Sequence, residues 1–171
     1  YGISTDPLMQ FAMIFSALIH DVDHTGKSNN DLISMQTPAA VIYKNQSVAE
    51  QNSVDVAWTM LMDSDFDDLR ACIYTTKTEL KRFRQMVVNA VLATDTADRR
   101  LQALRKKRWD QAFSVDGGST PGAAMTMTAD RKATIVLEYV LQASDIAYTM
   151  QHWQTYIKWN ECLFMERYVA Y

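Results

Sequence analysis

An apolar run with helical spacing, ending in a cluster of ionisable side chains, limits both the fold and the chemistry of this sequence. Apolar residues recur every three or four positions over 8–19, and Asp6-Pro7 offers the N-cap and the first-turn proline of a helix. The run ends in the segment His20–His24, HDVDH, which holds two of the chain's three histidines beside two aspartates. Such a cluster behind an apolar helix indicates a metal site rather than a solvated surface.

Helical spacing recurs along the rest of the 171 residues, without an alternating strand pattern. Only five glycines and three prolines occur, and they fall at the edges of the predicted elements. Residues 63–68 are predicted to form a turn into a short helix, and residues 115–122 a loop. Further helices are predicted over 29–35, 38–43, 47–61, 78–94, 97–113, 130–145 and after Thr149. The sequence therefore predicts an all-α fold in one domain.

Composition excludes several classes of protein. Seventeen basic and twenty acidic residues give a formal net charge of -3, which leaves no electrostatic footprint for nucleic acid or anionic lipid. Cys72 and Cys162 lack CxxC spacing, so we expect a reducing compartment, such as the cytoplasm, and no thiolate zinc site. No apolar run reaches transmembrane length. Because the chain opens on Tyr1 and stops within an amphipathic pattern, we expect a fragment of a longer protein.

Three residues are the first candidates for metal ligands. His20 and Asp21 are adjacent at the end of the first helix, and their imidazole and carboxylate suit Zn²⁺, Mn²⁺ or Fe²⁺. Asp145 is an isolated carboxylate on the otherwise apolar face of the predicted 130–145 helix, and a buried aspartate needs a partner. That partner is either an arginine or lysine, in a salt bridge, or a metal ion shared with His20.

Two other positions have alternative interpretations. Glu50 is three residues after Ser47, so it either completes a capping box or faces a metal-bound water, and one carboxylate can do both. Thr94-Asp95 ends a helix of apolar character, where it forms either a C-terminal turn or a support for the site.

Four segments containing these residues resemble one family. They occur in the family's order and at roughly its spacing: ALIHDVDHTG at 17–26, YKNQSVAEQN at 43–52, MVVNAVLATD at 86–95 and LQASDI at 141–146. The sequence is similar to the catalytic domain of class I cyclic nucleotide phosphodiesterases, which is part of the HD metal-hydrolase group. The resemblance implies an all-α, multi-helix orthogonal or bundle-like fold. It also implies that this chain is a partial domain, truncated at both ends.

The resemblance implies two divalent metal ions, Zn²⁺ and a neighbouring Mg²⁺ or Mn²⁺. By position, His20 and Asp145 would bind the zinc-like ion and Asp21 would bridge both ions. His24 matches a catalytic position that contacts the bridging hydroxide or the substrate phosphate. Glu50 also matches a catalytic position, and the waters of the second metal would be held by two residues, Glu50 and Thr94.

The implied activity is hydrolysis of a 3′,5′-cyclic nucleotide, cAMP or cGMP, to the 5′-monophosphate in signal transduction, by in-line attack of a metal-bridging hydroxide. The general-acid histidine and a further histidine ligand would lie upstream, so we expect this fragment to be inactive by itself and to expose apolar surface where missing helices dock. The substrate is the expected partner, within a larger multidomain, cytoplasmic or membrane-tethered protein. Two alternatives stay open: an HD-type phosphohydrolase of another phosphoester, or a catalytically degenerate regulatory domain.

Three positions depart from the family's pattern. Tyr148, a candidate for the base pocket, stands where the family often has Asn or His. Asn52-Ser53 stands where it commonly has His-His. An ungapped match places Ala170 at the position of the purine-binding glutamine, so either the glutamine is replaced or the register has shifted. The resemblance therefore carries over the metal chemistry but not a preference between cAMP and cGMP.

Overall fold

The computed structural model describes residues 3–113 and 129–171, and these residues form helices and no strand. Nine α-helices are present in this part of the chain: α1 Pro7–Ile19, α2 Asn29–Ser34, α3 Pro38–Ile42, α4 Val48–Leu61, α5 Asp67–Ile73, α6 Lys77–Leu92, α7 Arg99–Phe113, α8 Ala129–Asp145 and α9 Trp153–Ala170. Short 3₁₀ helices occupy Ile3–Thr5, Ser64–Phe66 and Ala147–Met150. The predicted all-α class is confirmed, and the predicted loop over 115–122 lies outside the described residues.

The first helix begins where the sequence predicts and packs against α6. Asp6 is its N-cap, accepting a hydrogen bond from the Met9 backbone N–H at 3.1 Å. The side chain of Phe83 on α6 is fully buried, and aromatic rings from α1, from α4 and from Tyr74 at the end of α5 surround it. The main core is built around this contact by Met9, Ala12, Ile19, Val54, Ala57, Leu61, Phe83, Met86, Val87, Val91, Ala133 and Leu137. It fixes the direction in which α1 points at its C-terminal end.

A second, smaller apolar cluster joins the short helices to α4. Its buried residues are Leu32 of α2, Ala40 of α3 and Val48 of α4. This cluster seats the N-terminal ends of α2 and α4 beside the segment that follows α1. Burial of apolar surface in the two clusters therefore brings the polar ends of several helices to one side of the fold.

The capping box predicted at the start of α4 is wrong. The helix begins at Val48 as expected, but Ser47 is in the left-handed region at φ 37° and makes no side-chain cap. A true capping box opens α6 instead, where Thr76 and Glu79 each bond the other's backbone N–H. The α6 helix therefore starts at Lys77, one residue before the predicted position.

Exposed apolar side chains are present on several helices, among them α1 and α9. On α1 the side chains of Ile14 and Leu18 face solvent, and on α9 the exposed apolar and aromatic residues are Trp153, Trp159, Phe164, Met165, Tyr168 and Val169. The expected exposure of apolar surface is present, and the docking of further helices onto that surface stays a prediction. No helix within the described ranges has both the length and the apolar character needed to cross a bilayer.

Candidate functional site

The ends of α1 and α8 bring together three residues that are far apart in the sequence. His20 is the C-cap of α1, Asp21 follows it, and Asp145 is the last residue of α8. The His20 Nε2 atom lies 3.3 Å from Asp21 Oδ2 and 3.3 Å from Asp145 Oδ1. One nitrogen and two carboxylate oxygens thus fall within 4.8 Å of one another. An imidazole and two carboxylates form a donor set that suits Zn²⁺ or Mn²⁺.

The helical geometry of α1 orients the imidazole of His20. Its Nδ1–H donates to the Ala17 carbonyl oxygen at 2.9 Å, because a carbonyl can only accept. Nδ1 therefore carries a proton, and Nε2 is the atom turned toward the two carboxylates. A histidine held in this way by its other nitrogen is oriented to bind a metal ion through Nε2.

Charge at the site shifts the pKa of His20. The hydrogen bond to Asp145 raises this pKa to about 9 in the metal-free protein, with smaller contributions from Ala17 and Asp21, although partial burial acts in the opposite direction. The imidazole is therefore protonated at neutral pH and balances part of the negative charge of the two carboxylates. A metal ion would have to displace that proton.

The sequence predicted that Asp145 is buried, and the structure shows that it is not. Its side chain is 38% exposed, because α8 ends at this residue and the apolar face of the helix stops one turn earlier, at Leu141. The partner of Asp145 is the imidazole of His20, which precedes it by 125 residues in the sequence and is the residue with which a metal ion would be shared.

The loop after His20 is held to α4 by two polar side chains. Ser53, which is buried, donates its hydroxyl to the Val22 carbonyl at 2.7 Å. Asn52 donates its amide to the Asp23 carboxylate at 2.9 Å, where Asp23 is in the left-handed region at φ 61°. These two residues, which stand where the resembled family commonly has two histidines, therefore fix the backbone between the candidate ligands and His24.

His24 lies in the turn that closes on Gly26. Its Nδ1 accepts the Gly26 backbone N–H at 3.1 Å and lies 3.9 Å from Glu166 Oε1 of α9. A side chain at Gly26 would meet Ala170 and Glu166, so glycine allows the end of α9 to approach this turn closely. With Nδ1 occupied as an acceptor, the proton of a neutral His24 is on Nε2, which leaves that atom as a donor.

Glu50 points into a half-buried polar network. Its Oε2 accepts a hydrogen bond from the Asn29 amide at 2.9 Å. Burial is the main cause that raises the pKa of Glu50, and the nearby Asp95 adds to it, while the Asn29 hydrogen bond acts in the opposite direction. Because Ser47 is turned away, the first of the two roles weighed for Glu50, completing a capping box, is excluded.

Asp95 is the centre of this network, and the sequence did not indicate how many hydrogen bonds it accepts. It is only 4% exposed and accepts hydrogen bonds from the side chains of Ser47 and Asn29 at 2.7 and 3.4 Å. Its other oxygen accepts the backbone N–H groups of Ala97 and Asp98 at 3.0 and 3.1 Å. The only sequence signal is a polar residue directly after an apolar helix, because its side-chain partners are 48 and 66 residues away.

Thr94 and Tyr148 have local contacts. The Thr94 hydroxyl donates to the Val91 carbonyl at 2.7 Å, which leaves its oxygen free to accept a further hydrogen bond. Tyr148 is in the 3₁₀ helix after α8 and stacks on Tyr156 of α9, with ring centroids 6.4 Å apart. Both residues are half-buried.

The sequence matches the family model for 3′5′-cyclic nucleotide phosphodiesterases over residues 3–170. This chain belongs to that family. Curated relatives include the probable 3′,5′-cyclic phosphodiesterase pde-1 of Caenorhabditis elegans, 29% identical over 95% of this chain. The dual specificity calcium/calmodulin-dependent 3′,5′-cyclic nucleotide phosphodiesterase 1B of Mus musculus is 28% identical over 91%. The resemblance drawn from the four segments is thereby confirmed.

A solved structure shows the same fold. The phosphodiesterase domain of the RhoPDE fusion protein from the choanoflagellate Salpingoeca rosetta superposes with a TM-score of 0.73 at 24% identity, over 93% of this chain and 47% of that one. This chain spans 22% of the length of the worm relative and 26% of the length of the mouse relative.

Proposed function

We propose that the protein containing this chain is a metal-dependent phosphodiesterase that hydrolyses a 3′,5′-cyclic nucleotide to the 5′-monophosphate. Membership of the family supports this proposal, and one observation carries it to specific residues. That observation is the convergence of His20, Asp21 and Asp145 within 4.8 Å from the ends of two helices that are remote in sequence. The segments at these two helix ends, 17–26 and 141–146, are two of the four that carried the resemblance.

We propose that these three residues hold two divalent ions, Zn²⁺ together with Mg²⁺ or Mn²⁺. When bound, such ions polarise a phosphoryl oxygen and lower the pKa of water. In the roles we assign, His20 and Asp145 bind the zinc-like ion and Asp21 bridges the pair. Asp21 suits a bridging role, since its side chain is 66% exposed and open to a second ion.

The remaining candidates act around this centre. Glu50 and Thr94 accept hydrogen bonds from the waters of the second ion, since each has an oxygen with acceptor capacity left over. His24 donates from Nε2 toward the phosphate or the attacking water, because its Nδ1 is occupied by Gly26. Tyr148 lines the base pocket. The carboxylates, in contrast, would repel a phosphate in the absence of bound cations.

We propose cAMP, cGMP or both as the substrates. We expect no binding of nucleic acid. The mouse relative is named a dual specificity 3′,5′-cyclic nucleotide phosphodiesterase, and C. elegans pde-4 is named a probable 3′,5′-cyclic-AMP phosphodiesterase. We place the protein in the cytoplasm, or on the cytoplasmic side of a membrane-tethered chain, because both cysteines are free and exposed, as they are in a reducing compartment.

Hydrolysis of cAMP and cGMP tests the proposed function. The relatives are several times longer than this chain, so the assay uses the longest polypeptide that contains it, with Mg²⁺ or Mn²⁺. We expect 5′-monophosphate as the product and a loss of at least about a hundredfold in kcat/KM for Asp145→Ala. Asp68→Ala, an exposed aspartate on α5, is the matched control and should retain the parent's rate.

The results of this assay distinguish the alternative functions. Turnover of other phosphoesters without cyclic nucleotides would support a different phosphohydrolase. Nucleotide binding without turnover would support a regulatory domain. Full activity of Asp145→Ala would contradict the roles assigned here.

A further inference from the structure

The start of α4, the helix that carries Glu50, is held by a residue of another helix. The backbone N–H groups at the first turn of a helix need acceptors, which the N-cap side chain usually supplies. Ser47 is the N-cap residue of α4, but its hydroxyl is turned toward Asp95. The acceptor for the Ala49 N–H is instead the Oδ1 atom of Asn29, at 2.9 Å, on the neighbouring α2.

The amide nitrogen of Asn29, Nδ2, lies between two carboxylates. Asn29 Nδ2 is 2.9 Å from Glu50 Oε2 and 3.4 Å from Asp95 Oδ2. An amide has two N–H groups and one carbonyl, so Asn29 can serve both carboxylates and the backbone together. A carboxylate at this position would lack the donors, and an alanine would leave Glu50 facing Asp95 without a group between them.

Asp95 fixes the position of that amide. Its carboxylate is buried and is held in turn by Ser47 and by two backbone N–H groups after α6. It can therefore move little, and a hydrogen bond to it restricts the rotation of Asn29. The network joins the ends of α2, α4 and α6 at one polar centre.

We propose that Asn29 is a positioning residue of the site: it caps α4 from α2 and holds the Glu50 carboxylate in place, with buried Asp95 as its anchor. The proposal rests on the proposed function, in which Glu50 orders the waters of the second metal ion. Asn29 itself acts only through Glu50 and through the first turn of α4.

Hydrogen exchange and metal dependence test this role in the same set of variants. In Asn29→Ala we expect exchange of the Ala49 backbone N–H to accelerate about tenfold, the size expected for a lost cap. The Mn²⁺ concentration for half-maximal hydrolysis should rise about tenfold in Asn29→Ala and also in Glu50→Ala. Asn30→Ala, an exposed asparagine on the same helix, is the matched control and should change neither quantity.

The double variant distinguishes action through Glu50 from a general structural effect. Asn29→Ala combined with Glu50→Ala should need no more Mn²⁺ than Glu50→Ala alone, because the group that Asn29 positions is already absent. Effects that multiply in the double variant would overturn the proposal, as would an Ala49 exchange rate equal to that of the control.

A second substitution keeps the test decisive if Asn29→Ala does not fold. Asn29→Asp retains an acceptor for the Ala49 N–H but has no N–H to give to Glu50, so exchange at Ala49 should stay within about twofold of the parent. Its Mn²⁺ requirement should differ from the parent's only while Glu50 is present. A change that persists in the Glu50→Ala background would overturn the proposal.

Failure of the proposed function looks different from failure of this inference. If the parent protein hydrolyses no cyclic nucleotide with any cation, the enzymatic proposal is wrong, and with it the catalytic purpose of Glu50. The exchange rate at Ala49 still decides whether Asn29 caps α4.

Discussion

The raised pKa of His20 is a property of the candidate metal centre that can be measured directly. The pKa of about 9 arises chiefly from the hydrogen bond to Asp145, so removal of that charge should lower the pKa toward the ordinary 6.5. An NMR titration of the His20 ring in metal-free protein measures this pKa. We expect about 9 in the parent and a value at least one unit lower in Asp145→Asn.

The same pKa predicts how stability depends on pH. Because the folded pKa lies above the unfolded value, protonation of His20 stabilises the metal-free fold fully below about pH 6.5, and this contribution is lost as the pH rises through about 9. Urea unfolding at a series of pH values should show the decline in the parent and a flatter profile in Asp145→Asn. An equally steep decline in that variant would mean that another group controls it.

Individual residues could be predicted from the sequence where chemistry alone identifies them. His20, Asp21 and Asp145 were candidates because histidine and isolated carboxylates are unusual at the ends of apolar helices. Asn29 was not a candidate, because an asparagine at the start of a short helix is unremarkable until the tertiary fold places Glu50 and Asp95 beside it. Residue type indicates possible ligands, whereas hydrogen-bond partners from distant helices depend on packing.

For single helices, too, the local sequence predicts some features, whereas others depend on tertiary packing. Helical spacing predicted most helices to within one or two residues, since the apolar face of each is written in its own sequence. The predicted cap of α4 was wrong because the Ser47 hydroxyl, which as an N-cap would accept a backbone N–H, is oriented to donate to buried Asp95, which the local sequence does not contain. A charged acceptor in a buried site forms a stronger hydrogen bond than a neutral partner.

The C-terminal end of α6 depends on a side chain from α7. Arg105 donates to the carbonyl oxygens of Leu92 and Asp95 at 2.9 and 3.0 Å, and it places a positive charge at the negative end of the α6 dipole. We expect Arg105→Gln to lower the free energy of unfolding by about 1–2 kcal/mol, because two carbonyls lose a charged donor. Chemical denaturation measures this difference.

The adjacent Lys106 provides the control for that substitution. Its side chain is 76% exposed and pairs with Asp110 at 3.3 Å, one turn along α7. Lys106→Gln should therefore change stability by no more than about 0.5 kcal/mol. Equal losses in the two variants would show that the charge of α7, and not its contact with α6, is the relevant quantity.

In the fold as a whole, the candidate metal centre lies where the C-terminal ends of α1 and α8 meet. The core fixes α1 against α6 and α8 through apolar contacts, while His20, Asp21 and Asp145 meet beyond the last buried side chains of α1 and α8, Ile19 and Leu141. The three polar groups are thus held apart from the core that positions them. A metal ion bound there would connect two helix ends whose residues are 125 positions apart.

Metal binding should therefore stabilise the entire domain and not only the site. An ion that binds the folded state alone adds about 2.7 kcal/mol at a hundred times its dissociation constant, or about 5 to 10 °C in Tm for a chain of this size. We expect Mn²⁺ or Zn²⁺ to raise Tm by this amount in a thermal unfolding scan, and EDTA to reverse the increase. The increase should be larger at pH 8 than at pH 6, because the ion competes with the proton on His20.

Two aspartates decide whether that stabilisation comes from the candidate centre. Asp145→Ala should abolish most of the increase in Tm, since it removes one of the two helix ends from the ion. Asp68→Ala removes the same single negative charge at an exposed position on α5 and should retain the full increase. If both variants respond to metal as the parent does, the ion binds elsewhere. In that case the joining of α1 to α8 by metal, which is the physical basis of the proposed activity, is wrong.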